Sequence, residues 1–165
     1  MLVSRSSVEC RLYMDLHACS CGETSFEPGH VLREDEEGRL LAVYSGSCAR
    51  CGLPRQFTFV LDDEMPPSPP AFGGAAASRI ICPGEFLVVA EQAAARDRDR
   101  TAVATAVAAV EEVVKFIPDA MDAVPAEAFT SLTGRAAYVR EPGRFARARL
   151  EATASAYREA LASRG

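Results

Sequence analysis

Two histidines and one lysine, Lys115, are all that 165 residues contain of those types. With so little imidazole, acid–base chemistry would have to rely on carboxylates alone. The chain also lacks a Gly-x-Ser-x-Gly elbow, a phosphate-cradling glycine loop ending in Lys-Ser or Lys-Thr, and a His-Glu-x-x-His pair. No catalytic residue is assigned, and a non-enzyme is expected. Apolar runs are short as well. No segment approaches the roughly 18 consecutive apolar residues of a membrane span, and residues 101–117 are broken by Glu111, Glu112 and Lys115. The N-terminal stretch carries Arg5, Glu9, Arg11 and Asp15 rather than a signal-type apolar run. A cytoplasmic protein with no membrane contact is expected.

Charge is present but lopsided. The formal net charge is −5. Between residues 22 and 64, Glu23, Glu27, Glu34, Asp35, Glu36, Glu37, Asp62, Asp63 and Glu64 face only Arg33, Arg39, Arg50 and Arg55. The whole deficit sits there, and such a surface repels phosphate and favours basic partners. Abundant arginine and alanine reflect coding bias and imply nothing about function.

The length fits one domain or a small module fused to a second element. Val8, Cys10, Leu12, Met14 and Leu16 alternate with polar or aromatic neighbours, a period of two that predicts a strand. A strand over 24–33, the turn Glu34-Asp35-Glu36-Glu37-Gly38 and a strand over 39–47 form a predicted hairpin. Phe57, Phe59 and Leu61 mark another strand. Residues 65–78, with Pro66, Pro67, Pro69, Pro70, Gly73 and Gly74, read as a linker.

Beyond the linker the pattern turns helical. Pro83 and Glu85 suit a helix start behind Cys82 as an atypical cap. Val103, Val107, Val110, Val114 and Ile117 recur at helical steps, with Glu111 and Lys115 as a pair one turn apart. A short helix from Pro125 to near Gly134 and a last one from near Pro142, with Leu150, Ala154, Tyr157 and Leu161 on one face, complete the expectation. The predicted fold is α+β: an antiparallel β module over 1–64, a linker over 65–78, and a bundle of three to four helices over 79–165 packed on the module.

Six cysteines remain, four of them in two glycine-terminated pairs: Cys19-Ser20-Cys21-Gly22 and Cys48-Ala49-Arg50-Cys51-Gly52. Four thiolates delivered as two pairs can close a tetrahedron around one structural Zn²⁺, and the following glycines permit the tight turns. The 26 residues between the pairs suit a hairpin. Cys19, Cys21, Cys48 and Cys51 are therefore the predicted ligands, with one zinc per chain. The first pair has one intervening residue where two are usual, which leaves His17 as a substitute ligand. In a secreted chain a bridge such as Cys19–Cys48 would be the alternative. Cys10 falls on an apolar face. Cys82, ahead of a helix, reads as a weak cap or as a reactive thiol.

On Cys19, Cys21, Gly22, Cys48, Cys51 and Gly52, segment 14–61 resembles the zinc-ribbon class, whose two knuckles lie on neighbouring hairpins. The text Val114-Lys115-Phe116-Ile117-Pro118 and Glu141-Pro142-Gly143-Arg144-Phe145 is similar to that of uncharacterised bacterial zinc-ribbon proteins. The resemblance implies a structural metal and no specific activity.

The leading expectation is a non-catalytic protein-binding module in which Glu34, Asp35, Glu36 and Glu37 meet a basic protein partner. A toxin-neutralising bacterial immunity protein is one specific form of it. The alternative is a nucleic-acid-binding or transcription-associated zinc ribbon. The acidic ribbon opposes it, and only Arg135, Arg140, Arg144, Arg147 and Arg149 could supply the phosphate contacts.

Overall fold

A computed structural model describes residues 1–163 of the chain. Its internal contacts separate into two units, Met1–Pro66 and the remainder from Pro67. Among the described residues the class is α+β, with a four-stranded sheet and five α-helices.

The first unit holds β1 (Leu2–Ser4), α1 (Ser7–Leu16), β2 (Gly29–Glu34), β3 (Leu40–Ser47) and β4 (Pro54–Leu61). The strand order is β1-β4-β3-β2. β2, β3 and β4 run antiparallel as expected, but β1 lies parallel to β4, so the sheet is mixed and not the antiparallel module predicted. The β2–β3 turn has the predicted form, with Gly38 at φ +77°, a left-handed conformation that favours glycine.

The predicted strand around Val8–Leu16 is instead a helix. Ser6 caps it, its hydroxyl accepting from the Glu9 backbone N–H at 3.0 Å. That Ser-x-x-Glu spacing is a helix-start signal, and Cys10 and Met14, one turn apart, are its buried residues together with Glu9. The alternating apolar residues fit both periods. The cap and the helix-favouring Leu, Met, Arg and Glu side chains decide for the helix. Tyr13 seats α1 on the sheet, its ring edge-on to Phe57 and Phe59 with centroids 6.2 and 5.6 Å away. The first cysteine turn is thus preceded by a helix and not by a strand.

The second unit contains α2 (Pro83–Ala94), α3 (Arg100–Val114), α4 (Leu132–Arg140) and α5 (Arg147–Ala162), with 3₁₀ turns at Ala126–Ala128 and Pro142–Phe145. α2 opens as predicted, Pro83 entering its first turn and the Glu85 carboxylate accepting from the Cys82 N–H at 2.9 Å. Asp99 caps α3 through the N–H groups of Thr101 and Ala102. The valine stripe marks only part of the buried face of α3, since Ala102, Ala106 and Ala109 are buried with Val103, Val110 and Val113. Two local expectations change. Lys115 pairs with the buried Glu112 at 2.6 Å, while Glu111 meets Arg158. Gly134 lies inside α4, capped by Ser131, and does not end a helix begun at Pro125. Phe72 is buried against Phe86, and the Lys115 ammonium donates to the Gly74 carbonyl at 2.6 Å, so residues 72–74 belong to the packing of this unit.

Candidate metal centre

Each cysteine pair is shaped by its own backbone. In the first turn the Cys19 N–H donates to the Glu23 carbonyl and the Gly22 N–H to the Cys19 carbonyl, both at 2.8 Å. In the second, which joins β3 to β4, the Cys48 N–H donates to Leu53 and the Gly52 N–H to Cys48, both at 2.9 Å. Gly22 and Gly52 take φ +84° and +73°. A Cβ at either position would meet left-handed strain, although nothing crowds it.

The two turns meet. Sulfurs of Cys19, Cys21, Cys48 and Cys51 all lie within 4.8 Å of one another, close enough to hold one metal ion. Across the turns the Cys19–Cys51 and Cys21–Cys48 Sγ atoms are each 3.6 Å apart. A tetrahedron with ~2.3 Å metal–sulfur bonds has edges of about 3.8 Å, so this spacing fits four ligands of one ion. Cys19 and Cys48 are buried, Cys21 is half-buried and Cys51 exposed, which places the centre at the surface of its unit.

The backbone favours thiolates. The Cys21 N–H draws the Cys19 thiol down to about 6, and the Cys51 N–H lowers Cys48. Cys51 resists: the Leu53 N–H favours its thiolate, but partial desolvation of its sulfur and the three neighbouring sulfurs push it up to about 12. Four thiolates this close repel one another unless a cation sits among them. The donor set is that of a closed, soft-metal site.

His17 is not part of the cluster. Its Nδ1–H donates to the Tyr13 carbonyl at 2.7 Å and its ring stacks on Tyr13 at 3.9 Å, which turns the predicted substitute ligand into a cap on the end of α1. Two arginines unforeseen in the sequence flank the site. Arg50 reaches from the second turn to the Cys21 carbonyl at 3.4 Å and to Glu23 at 3.6 Å. Arg55 is buried, donates through Nη2 to the His17 carbonyl, and lies over the Phe26 ring at 4.4 Å. Pairing of β3 with β4 places it there, and no local motif announces it.

The acidic turn divides in two. Asp35 accepts from the backbone N–H groups of Glu37 and Arg39 at 3.0 and 2.8 Å, and Arg39 binds Asp35 and Glu37 side chains at 2.7 and 2.6 Å. Burial raises the Asp35 carboxyl, but the Arg39 and Glu37 donors outweigh it and hold the pKa below its ordinary value. Asp35 and Glu37 therefore build the turn, while Glu34 and Glu36 stand exposed beside it.

Most of the arginine cluster is structural. Arg135 donates to the Phe129 carbonyl, Arg144 pairs with Glu91 and Glu141, and Arg147 donates to the Ile117, Pro118 and Met121 carbonyls. Arg140 and Arg149 are exposed. Cys10 is fully buried, and burial raises its pKa; Cys82 is buried with its sulfur 3.3 Å from Ser131 Oγ. Neither thiol is presented for reaction. Among the described residues, no helix is long and apolar enough to cross a membrane. No family model, curated protein or solved structure matches the chain.

Proposed function

We propose that the chain is a non-catalytic protein-binding module, built on one structural Zn²⁺ and presenting the acidic β2–β3 turn to a basic protein. The observation that carries this reading is the closed set of four thiols. A metal with four protein ligands has no open position for substrate, so its contribution is to folding. Zinc fits the all-sulfur set and the near-tetrahedral sulfur spacing. A four-thiolate zinc centre is net negative, and Arg50 and Arg55 offset that charge from its flanks. A reducing cytoplasm, where thiols persist, suits such a site.

On this reading Asp35, Glu37 and Arg39 keep the turn in one shape, so its carboxylates meet a partner with little ordering entropy left to lose. Neutralisation of a basic toxin, as by an immunity protein, is the specific form we favour, because charge complementarity speeds such encounters. The cluster Arg135, Arg144 and Arg147 is engaged within its own unit, which lends the nucleic-acid alternative no support.

The test reverses charge where the turn does not depend on it. Glu36→Lys reverses the exposed carboxylate that neither braces the turn nor lies in β2, and it leaves Asp35, Glu37 and Arg39 in place. Affinity capture from the source cells should recover a basic protein with the wild type at low salt and lose it with the variant. Equal recovery of that protein by both would remove the acidic turn from consideration.

A further inference from the structure

β2 is the outermost strand of the sheet on its side, and among the described residues no strand pairs with its far edge. All six of its residues are exposed, with Val31 at 47% and Leu32 at 54%. Leu40, on the face that Leu32 shares, is 45% exposed. Edge strands are ordinarily blunted by shortness, proline, a bulge or inward charge, because an open edge templates further pairing. β2 pairs with β3 without a bulge from Gly29↔Ser45 to Glu34↔Leu40 and contains no proline.

The direction of its backbone groups follows from the turn. The Asp35 N–H donates to the Arg39 carbonyl at 3.0 Å. Antiparallel ladders alternate, so Arg33, Val31 and Gly29 address β3 while the N–H and C=O groups of His30, Leu32 and Glu34 point away from it.

This outward set is complementary to itself. Two copies of β2, antiparallel about a twofold axis at Leu32, place Leu32 against Leu32, Val31 against Arg33, and His30 against Glu34 at both ends. The outward groups of His30, Leu32 and Glu34 then exchange hydrogen bonds with those of Glu34, Leu32 and His30 in the second copy. Shifting the axis to Arg33 opposes two guanidinium groups. Shifting it to Val31 brings Pro28, which has no N–H, opposite Glu34. His30 is already held on this face by stacking on Tyr44 with ring centroids 4.6 Å apart. We propose that the chain forms a twofold dimer by antiparallel pairing of β2 with β2 in the register centred on Leu32. The exposed apolar edge is covered by a second copy, and the two sheets become one.

Sedimentation velocity on the full, metal-loaded chain tests this from low to high micromolar concentration. The wild type should sediment at twice the 17.7 kDa chain mass. Leu32→Pro removes an outward N–H and none that faces β3, and it should abolish the dimer. His30→Glu sets like charges against Glu34 twice and should weaken association about tenfold. Adding Glu34→Lys to His30→Glu sets opposite charges against each other and should restore the dimer, which a merely structural effect of the substitutions would not do. Metal content and far-ultraviolet dichroism establish that each variant is folded. Three results would overturn the proposal: a monomer at every concentration (another protein's strand on this edge included), a dimer indifferent to Leu32→Pro and His30→Glu, or a charge swap that fails to restore it.

Discussion

Arg5 and Glu9 form a buried ion pair that ties the end of β1 to the first turn of α1. Arg5 Nη2 and Nε lie 2.6 and 3.0 Å from one carboxylate oxygen of Glu9, and the other oxygen accepts from the Arg5 backbone N–H at 2.7 Å and from Ser4 Oγ at 3.3 Å. Glu9 is fully buried and Arg5 is 7% exposed. Removing one member strands the other's charge in a low-dielectric site. Glu9→Ala should therefore cost about 3–5 kcal/mol. Replacing both, as Arg5→Met with Glu9→Leu, should cost far less, since a well-packed apolar pair avoids the desolvation of two ions. Urea unfolding reads both, provided the slope stays constant. A Glu9→Ala loss below about 1 kcal/mol, the range of exposed pairs, would show that the site is hydrated in solution.

Gly84 and Gly134 let α2 and α4 approach within the second unit. A Cβ at Gly134 would overlap Cys82 Sγ, and one at Gly84 would sit 2.5 Å from the Gly134 Cα. Overpacking of this kind costs about 1–3 kcal/mol. The two substitutions should differ in their rescue. Cys82→Ala removes the obstructing sulfur and should recover much of the Gly134→Ala loss, but it cannot relieve the backbone clash of Gly84→Ala. Thermal melts of the wild type, the three single variants and the two double variants complete both cycles. Equal rescue of both would place the contact elsewhere.

What the sequence made legible was local. Each cysteine pair, its glycine and the 34–38 turn are defined within a few residues, so spacing alone placed the four sulfurs and the hairpin between them. The α1 segment reads as a strand in the sequence because Cys10, Met14 and their neighbours satisfy a period of two as well as a helical face. The deciding residues, Ser6 and Glu9, stand at its start, where the Ser-x-x-Glu spacing could have been used. β1 has three residues and pairs in parallel with a strand more than fifty positions away, which leaves no local trace. Arg55 likewise gains its place only from β-pairing. Lys115 had carboxylates at both i−3 and i−4, and the contact of Glu111 with Arg158 on α5 settled which it takes.

Removal of the metal should act on one unit and spare the other. Metal analysis should find one zinc per chain, lost in Cys48→Ser and retained in His17→Ala, because the histidine lies outside the sulfur cluster. The first unit has a small apolar core, and binding energies of structural zinc, about 10–16 kcal/mol in small peptides, are folding energies there. Hydrogen exchange after chelation should show protection lost across β2, β3 and β4 and kept in α2 and α3, whose packing is internal to the second unit. Unchanged protection in β3 and β4 without metal would refute a structural role.

Alkaline titration should find the interior of the first unit through Tyr44. Burial raises its phenol to about 12, with the neighbouring Cys10 adding to the shift, and burial raises Cys10 as well. Both are acids that hold their protons more tightly when folded than when unfolded, so the folded state is favoured wherever they remain protonated. Their contribution is complete below the unfolded thiol value of about 8.5 and is lost as pH climbs through the phenol's unfolded value of about 10. For Tyr44 that loss runs until the folded value near 12 is passed. The melting temperature should thus fall over this window in the wild type. Tyr44→Phe cannot ionise there, and its melting temperature should decline less over the same range, whatever its starting point. Parallel wild-type and Tyr44→Phe curves would mean that the phenol is solvated, and that the closure of α1 over β3 is looser than the ring contacts of Tyr13 and Tyr44 with Phe59 require.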